Sequence, residues 1–166
     1  MGASHARLLA DEGASVVIGD ILDDEGKVLA AELGERARYV HLDVTQPDDW
    51  ENAVTTAVAE FGKLDILVNN AGIVRIGDIE SHSIEDWHTM IAVNLTGVFL
   101  GMKTSVPELK KSEHGSIVNI SSIAGLQGFG SMASYNASKY GVRGLTKSAA
   151  IDLGPFNVRL NPSTGA

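Results

Sequence analysis

Short apolar runs rich in β-branched residues alternate along the chain with longer segments in which apolar positions recur every three to four residues. The short runs predict strands and the longer segments predict amphipathic helices. Strands are predicted at residues 15–20, 38–43, 65–69, 116–120 and 157–161, and helices at residues 3–12, 24–33, 48–61, 84–111 and 134–153. This alternation predicts one α/β domain over residues 1–166, a doubly wound parallel sheet with helices on both faces.

Several residues indicate where the predicted helices begin and end. Thr45 offers an N-cap for a helix with Pro47 in its first turn, and the segment from Ser83 to Asp86 resembles a capping box. Glycine follows three of the helices and predicts their C-terminal ends, at Gly13, Gly34 and Gly62.

Composition narrows the possible functions. The formal charge is −8 and no run is rich in Lys or Arg, so we expect no nucleic-acid partner. The chain has no cysteine, and its five histidines show no metal-ligand spacing, so no metal site is predicted. No apolar stretch approaches the roughly 18 residues that span a bilayer, and the first residues lack an apolar signal core. We therefore expect a cytoplasmic protein with no membrane partner.

Polar or small residues follow the predicted strands at their carboxyl ends, where ligands bind in sheets of this type. They are Asp20, Asp43, the run from Asn69 to Gly72, and Ser122. Asp20 lies 18 residues after Gly2, and an acidic residue at about that distance from a glycine turn accepts hydrogen bonds from the adenosine ribose. Because no arginine follows Asp20, NAD is favoured over NADP. The alternative is that Asp20 caps the next helix, for which Asp23 is an equal candidate.

Tyr135 and Lys139 are four residues apart on a predicted helix, so the lysine ammonium can approach the phenol. A fixed cation favours the phenolate form of a tyrosine, which then serves in proton transfer. The same pair also occurs by chance on exposed helices. Ser122 precedes Tyr135 by 13 residues and could hold a carbonyl or alkoxide oxygen, or serve only in a turn. Asn94 lies within the predicted helix 84–111, where it relieves a distorted helix, holds a water or faces solvent.

In this order and spacing, the run from Asn69 to Gly72, Asn94, Ser122 and the Tyr135–Lys139 pair resemble the short-chain dehydrogenase/reductase family. The likeness runs through nearly the whole chain. Within the family, residues 1–6 and 19–26 most resemble the bacterial hydroxysteroid dehydrogenases. The resemblance implies a Rossmann-like fold, NAD as cofactor and a small alcohol or ketone as substrate.

The resemblance also implies residue roles. Tyr135 would exchange a proton with the substrate oxygen, Lys139 would favour the phenolate and hold the nicotinamide ribose, and Ser122 would orient the substrate oxygen. Asn94 would support a proton-relay water. The other residues that would contact the cofactor are Gly2, Asp20, Asp43, Val44, Asn69, Ala71 and Gly72. Those that would contact the substrate are Ile123, Leu126, Gln127 and Met132.

The chain departs from the family's pattern at both ends. The family begins with a strand and a glycine-rich turn, Thr-Gly-x-x-x-Gly-x-Gly, of which Gly2 alone is present. That strand lies between those that contain Asp20 and Asn69, so its absence leaves two unpaired edges and removes most of the phosphate cradle. Residues 159–166 begin like the sixth strand but lack the Pro-Gly, substrate loop and last strand that follow it. We expect a fragment, a truncated gene product, or a short protein whose sheet closes over the gap.

Two functions follow as hypotheses. The first is an NAD-dependent oxidoreductase that interconverts a secondary alcohol and a ketone, with a steroid or another apolar ring as substrate, in a homo-oligomer of two or four subunits. The second is a catalytically inactive fragment that associates with other subunits through the predicted helices 84–111 and 134–153.

Overall fold

Parallel strands alternate with helices throughout residues 1–163, which are the residues that the computed structural model describes. The strands are β1 Val16–Asp20, β2 Ala37–His41, β3 Ile66–Asn69, β4 Ser116–Ile120 and β5 Arg159–Ser163. The helices are α1 Gly2–Asp11, α2 Asp23–Leu33, α3 Pro47–Phe61, α4 Ile84–Ile91, α5 Gly97–Leu109 and α6 Ala133–Leu153, and the π-helical segment Ala92–Thr96 joins α4 to α5. The predicted parallel α/β fold is confirmed.

The strands form two separate parallel sheets. In one sheet β1 pairs with β2, from Val16 opposite Ala37 to Asp20 opposite His41. In the other, β4 is central and pairs with β3 and β5. Helix α3 packs on β1 and β2, helix α5 packs on β3 and β4, and the two helices pack against each other. One core includes Leu42, Trp50 and Ile117. The sheets are therefore joined by side-chain packing.

A groove separates the two sheets. Within residues 1–163, β1 pairs with β2 alone and β3 with β4 alone, so each presents one unpaired edge. Every residue of β1 and β3 lines the space between them, which has a volume of about 1020 Å³. We call this space the β1–β3 groove. The predicted gap beside the Asp20 strand is present, and the sheet is not closed over it.

Helix boundaries follow the predicted signals with one exception. The Ser83 hydroxyl accepts from the Asp86 amide at the start of α4, and Pro47 is at the start of α3. The prediction that Thr45 caps α3 is wrong, because the cap residue is Gln46 and the Thr45 hydroxyl donates to Asp43 instead. All three predicted glycines follow their helices with positive φ, at Gly13, Gly34 and Gly62.

Two predicted strand boundaries are corrected. The strand predicted at residues 38–43 ends at His41, which leaves Asp43 in the following loop. The strand predicted at residues 157–161 is β5, which begins at Arg159, because Asn157 ends a 3₁₀ turn with a φ of 57°. The prediction for residues 164–166 lies outside the described residues.

The helix predicted at residues 84–111 ends at Leu109 and contains the π-helical segment. The 26 residues from Ile84 to Leu109 include a window with a mean hydropathy of 1.2, so by length and composition this helix could cross a membrane. No membrane-spanning segment is predicted here from the sequence. Met90 and Leu109 are fully buried, and the helix packs against α3, α6 and the β3-β4-β5 sheet. We therefore interpret it as a core helix of the fold.

Candidate active site

Lys139 is a buried cation in the second turn of α6. It is 4% exposed, and its Nζ donates to the Ile120 carbonyl at the end of β4, at 3.0 Å. Burial lowers the pKa of Lys139, because desolvation penalises the charged form. Its Nζ lies 5.7 Å from the centre of the Tyr135 ring. The structure thus brings a poorly solvated ammonium close to the tyrosine, as the spacing of the two residues predicts.

Asn94 lies in the π-helical segment and is fully buried. Its Oδ1 accepts from the Ile73 amide and its Nδ2 donates to the Ile73 carbonyl, both at 2.8 Å. Nδ2 also lies 3.3 Å from Ser138 Oγ on α6. The alternative that Asn94 faces solvent is wrong, and the distorted helix is present. π-helical turns occur frequently at functional sites.

Gly72 lies where the loop after β3 passes Asn94 and Lys139. A Cβ at Gly72 would lie 3.4 Å from both Asn94 Oδ1 and Lys139 Nζ. The structure therefore brings together a predicted cofactor residue and two predicted catalytic residues, and a larger side chain at position 72 would crowd both polar groups.

Ser122 lies two residues after the end of β4 in an extended conformation, with its Oγ accepting from the Ala124 amide at 3.1 Å. The loop that follows is fixed to α6 by Asn136, whose Nδ2 donates to the carbonyls of Ala124 and Gln127. Sequence reasoning missed Asn136, although its place directly after Tyr135 was a usable signal. Ser122 and Tyr135 are therefore held on connected pieces of backbone.

The residues predicted to contact substrate lie in or beside the segment between Ser122 and α6. Ile123 and Leu126 are about half exposed. Their contact with substrate stays a prediction.

The predicted cofactor residues divide into two groups. Those that line the β1–β3 groove are Gly2, Asp20, Val44, Asn69 and Ala71. Gly72, Tyr135 and Lys139 lie with the predicted catalytic residues. The exception is Asp43, which does not line the groove; its Oδ1 accepts from the amide and hydroxyl of Thr45.

The carboxyl end of the groove has polar features that fit a dinucleotide. Asn70 Oδ1 is buried and has no hydrogen-bond partner among residues 1–163. A Cβ at Gly2, the first residue of α1, would lie 3.0 Å from Asn70 Nδ2. An amide side chain beside a bare helix N-terminus suits an anionic or polar ligand group. The rest of the groove, along β1 and β3, is lined mainly by apolar residues.

Asp20 is exposed at the carboxyl end of β1, and its Oδ1 accepts from the Leu22 amide at 3.1 Å. Helix α2 has Leu22 as its cap residue and no side-chain cap. The alternative that Asp20 or Asp23 caps α2 is therefore wrong. Asp23 instead accepts from the Tyr39 hydroxyl at 2.6 Å and lies 2.7 Å from His41 Nδ1.

Two parallel sheets whose strands alternate along the chain with helices define a Rossmann-like α/β protein. A family model described as short chain dehydrogenase matches residues 1–164, and the chain belongs to this family.

Three bacterial dehydrogenases are similar in sequence to the chain. The chain is 58% identical over 161 residues to a 3-alpha-(or 20-beta)-hydroxysteroid dehydrogenase of Mycobacterium tuberculosis. The matched region covers 97% of the chain and 62% of the relative. It is 52% identical to a trans-4-hydroxycyclohexanecarboxylate dehydrogenase of Sinomonas cyclohexanicum, covering 97% and 65%. It is 44% identical to a cyclopentanol dehydrogenase of Comamonas testosteroni, covering 97% and 66%. The chain thus spans less than two thirds of the length of these relatives.

Proposed function

We propose that the chain acts as an NAD-dependent oxidoreductase that interconverts a secondary alcohol and a ketone. The observation that carries the proposal is the buried Lys139 ammonium beside Tyr135, bonded to the Ile120 carbonyl at the carboxyl end of β4, two residues before Ser122. A buried lysine needs a reason, because removing its charge from water costs free energy. Stabilising a phenolate supplies that reason.

The roles of the side chains follow from their hydrogen bonds. Ser122 Oγ already accepts from the Ala124 amide, so its O–H is available to donate to a substrate oxygen. In ketone reduction the Tyr135 O–H bond breaks and its proton passes to the substrate oxygen, which leaves a phenolate that the Lys139 ammonium stabilises. In alcohol oxidation the proton moves in the opposite direction.

The nicotinamide, when bound, supplies the hydride to the ketone carbon or accepts it from the alcohol carbon. Lys139 would hold its ribose, and Gly2, Asn69 and Ala71 would line its site. Asp20 supports NAD over NADP, because its exposed carboxylate would accept from ribose hydroxyls and repel a phosphate ester.

The relatives' names support a substrate class. Steroid, hydroxycyclohexanecarboxylate and cyclopentanol each contain an aliphatic ring, and we propose a secondary alcohol on such a ring as the substrate. The half-exposed Ile123 and Leu126 beside Ser122 provide an apolar surface for it. A cytoplasmic location and a homo-oligomer of two or four subunits remain predictions.

The test is oxidation of NADH or NADPH by the matching ketones, with wild-type protein and Tyr135→Phe. We expect turnover with NADH and a loss of about 10²–10⁴-fold in kcat on removing the phenol hydroxyl, the range for a general acid or base. Tyr140→Phe, at an exposed position on the same helix, is the matched control. Absence of turnover in the wild type, with no difference in Tyr135→Phe, contradicts the proposal.

A second candidate function is a catalytically silent protein that associates with other subunits. The open β1–β3 groove favours it, because β1 and β3 each have an edge there that pairs with no strand among residues 1–163. Thermal unfolding with and without NAD separates the two functions. A chain that binds NAD gains about 2.7 kcal/mol at a hundredfold excess over Kd and melts at a higher temperature, whereas a silent chain shows no shift.

A further inference from the structure

His82 and Ser134 form a contact that the proposed reaction does not use. His82 Nε2 lies 2.7 Å from Ser134 Oγ, although 52 residues separate them. Ser134 is fully buried and directly precedes Tyr135 in α6. The imidazole therefore contacts the first turn of the helix that carries the tyrosine.

The loop that carries His82 is joined to the start of α6 at a second place. The Gly77 amide donates to the Ser131 carbonyl at 2.9 Å, and Gly77 forms a parallel bridge with Met132. A Cβ at Gly77 would lie 2.8 Å from His82 Nδ1, so the glycine lets the ring lie against its own loop. Loop 77–82 and the beginning of α6 are thus one connected unit.

The beginning of α6 has little local support of its own. Its cap residue, Met132, provides no side-chain hydrogen bond, and Ser131 has a φ of 58°. A residue other than glycine adopts this left-handed backbone conformation at a cost in free energy, so neighbouring contacts must maintain it. Loop 77–82 provides those contacts.

His82 is itself oriented by Ser134. Its Nδ1 is buried and has no partner within the described residues, so the hydrogen bond to Ser134 is the polar contact that orients the ring. We propose that His82 is a positioning residue, which fixes the first turn of α6 through Ser134 and so places Tyr135 for proton transfer. The effect on catalysis rests on the proposed function of Tyr135, whereas the effect on the helix does not.

The first test uses amide hydrogen exchange in the chain without cofactor. The Asn136 amide donates to the Met132 carbonyl at 2.8 Å and reports on the first turn of α6. We expect His82→Leu to raise its exchange rate about five- to tenfold, as expected for the loss of one hydrogen bond. His82→Gln, which keeps a polar group near the Nε2 position, should restore much of the protection. His88→Leu, at an exposed position in α4, should leave the rate unchanged.

Ser134→Ala tests the same hydrogen bond from the other side. We expect it to raise the exchange rate of Asn136 as His82→Leu does, and the double variant to add little, because both changes remove one interaction. Unchanged exchange in both single variants, or full additivity in the double variant, overturns the proposal. Ser134→Ala also serves where His82→Leu does not fold.

The second test is kinetic. With the cyclic ketone and NADH, we expect His82→Leu to lower kcat about tenfold, with the KM for NADH unchanged, because displacement of a reacting group slows the chemical step. His82→Gln should recover part of the loss. Faster exchange with unchanged kcat overturns the role in placing Tyr135. Absence of turnover in the wild type refutes the proposed function instead, and hydrogen exchange still decides whether His82 fixes the turn.

Discussion

The β3-β4-β5 sheet and the β1-β2 sheet differ in how they are held in place. In the first, β4 is paired on both sides, and the candidate catalytic residues Ser122, Tyr135 and Lys139 follow it or pack against it. The second carries exposed polar residues at its carboxyl end, including Asp20 and His41, and its β1 edge faces the groove. The chain's own packing thus orders the candidate catalytic residues, while Asp20, for which we propose a role in selecting NAD, lacks a strand connection to them within residues 1–163.

A buried polar network strengthens the first sheet. Asn119 is fully buried in β4, accepts from Asn69 Nδ2 at 2.8 Å and donates to Thr146 Oγ1 at 2.9 Å. It therefore links β3, β4 and α6. Buried hydrogen bonds of this kind favour one arrangement of the elements they join. Nothing comparable joins β1 to β3 within residues 1–163, because the groove separates them.

Lys139→Met has the largest effect that we predict, a loss of kcat at the candidate catalytic residues beside the β3-β4-β5 sheet. It removes the ammonium and keeps an apolar side chain of similar length. We expect kcat to fall about a hundredfold or more, because the phenolate loses its counter-charge. Thermal stability should change little, since burial lowers the pKa of Lys139 and the charged form is costly to bury.

Lys147→Met is the matched control, because this lysine is exposed on the same helix. It should keep full activity. Equal losses in the two variants would mean that the helix is perturbed in general and would contradict a specific role for the buried cation. Steady-state kinetics and thermal unfolding of both variants decide between these outcomes.

Features that depend on neighbouring residues in one helix or strand are predicted better from the sequence than contacts between different helices and strands. The Tyr135–Lys139 spacing and the Ser83 cap are local patterns, and the structure contains both of them. The π-helical segment is not a local pattern, because it depends on Asn94 reaching the Ile73 backbone 21 residues away. Thr45 fails as a cap because its hydroxyl donates to Asp43 instead.

Contacts between residues that are distant in sequence could not be predicted, because no local pattern indicates them. Asn69 and Asn119 are 50 residues apart, and His82 and Ser134 are 52 apart. Hydrophobic periodicity shows which face of an element is buried but not which polar residue it will meet. The exposed Asp20 was predicted from its place in the sequence.

Asn119→Ala tests the polar network of the β3-β4-β5 sheet, and we expect it to have an effect of intermediate size. It leaves the buried Asn69 Nδ2 without its acceptor, while the Thr146 hydroxyl loses a donor and still donates to the Val142 carbonyl, so we expect a loss of about 1–3 kcal/mol in the free energy of unfolding. Arg38→Ala in β2 removes an exposed ion pair with Glu60 and two hydrogen bonds to the carbonyls of Glu35 and Ala37, and because this side chain is solvated it should cost less than about 1 kcal/mol. Urea denaturation measures both, and equal losses would show that the two sheets do not differ as we describe.

The smallest predicted effect is a pH dependence that arises where α2 contacts the β1-β2 sheet, through Asp23, Tyr39 and His41. Hydrogen bonds from Tyr39 and His41 lower the pKa of Asp23, and the hydrogen bond with Asp23 raises the pKa of His41. The Asp23 contribution to stability is complete above its ordinary pKa of 3.8 and is lost as pH falls through the lowered value. The His41 contribution is complete below its ordinary pKa of 6.5 and is lost as pH rises through the raised value.

Both contributions are therefore complete between about pH 3.8 and 6.5. Since these side chains are exposed, solvent screens the interaction and the effect is small. We expect His41→Ala to destabilise the protein slightly more at pH 5.5 than at pH 9, as measured by urea denaturation. Asn119→Ala removes no ionisable group, so its cost should be the same at both values. A pH-dependent cost for Asn119→Ala, or a pH-independent one for His41→Ala, would contradict this assignment of the electrostatic contribution to the β1-β2 sheet.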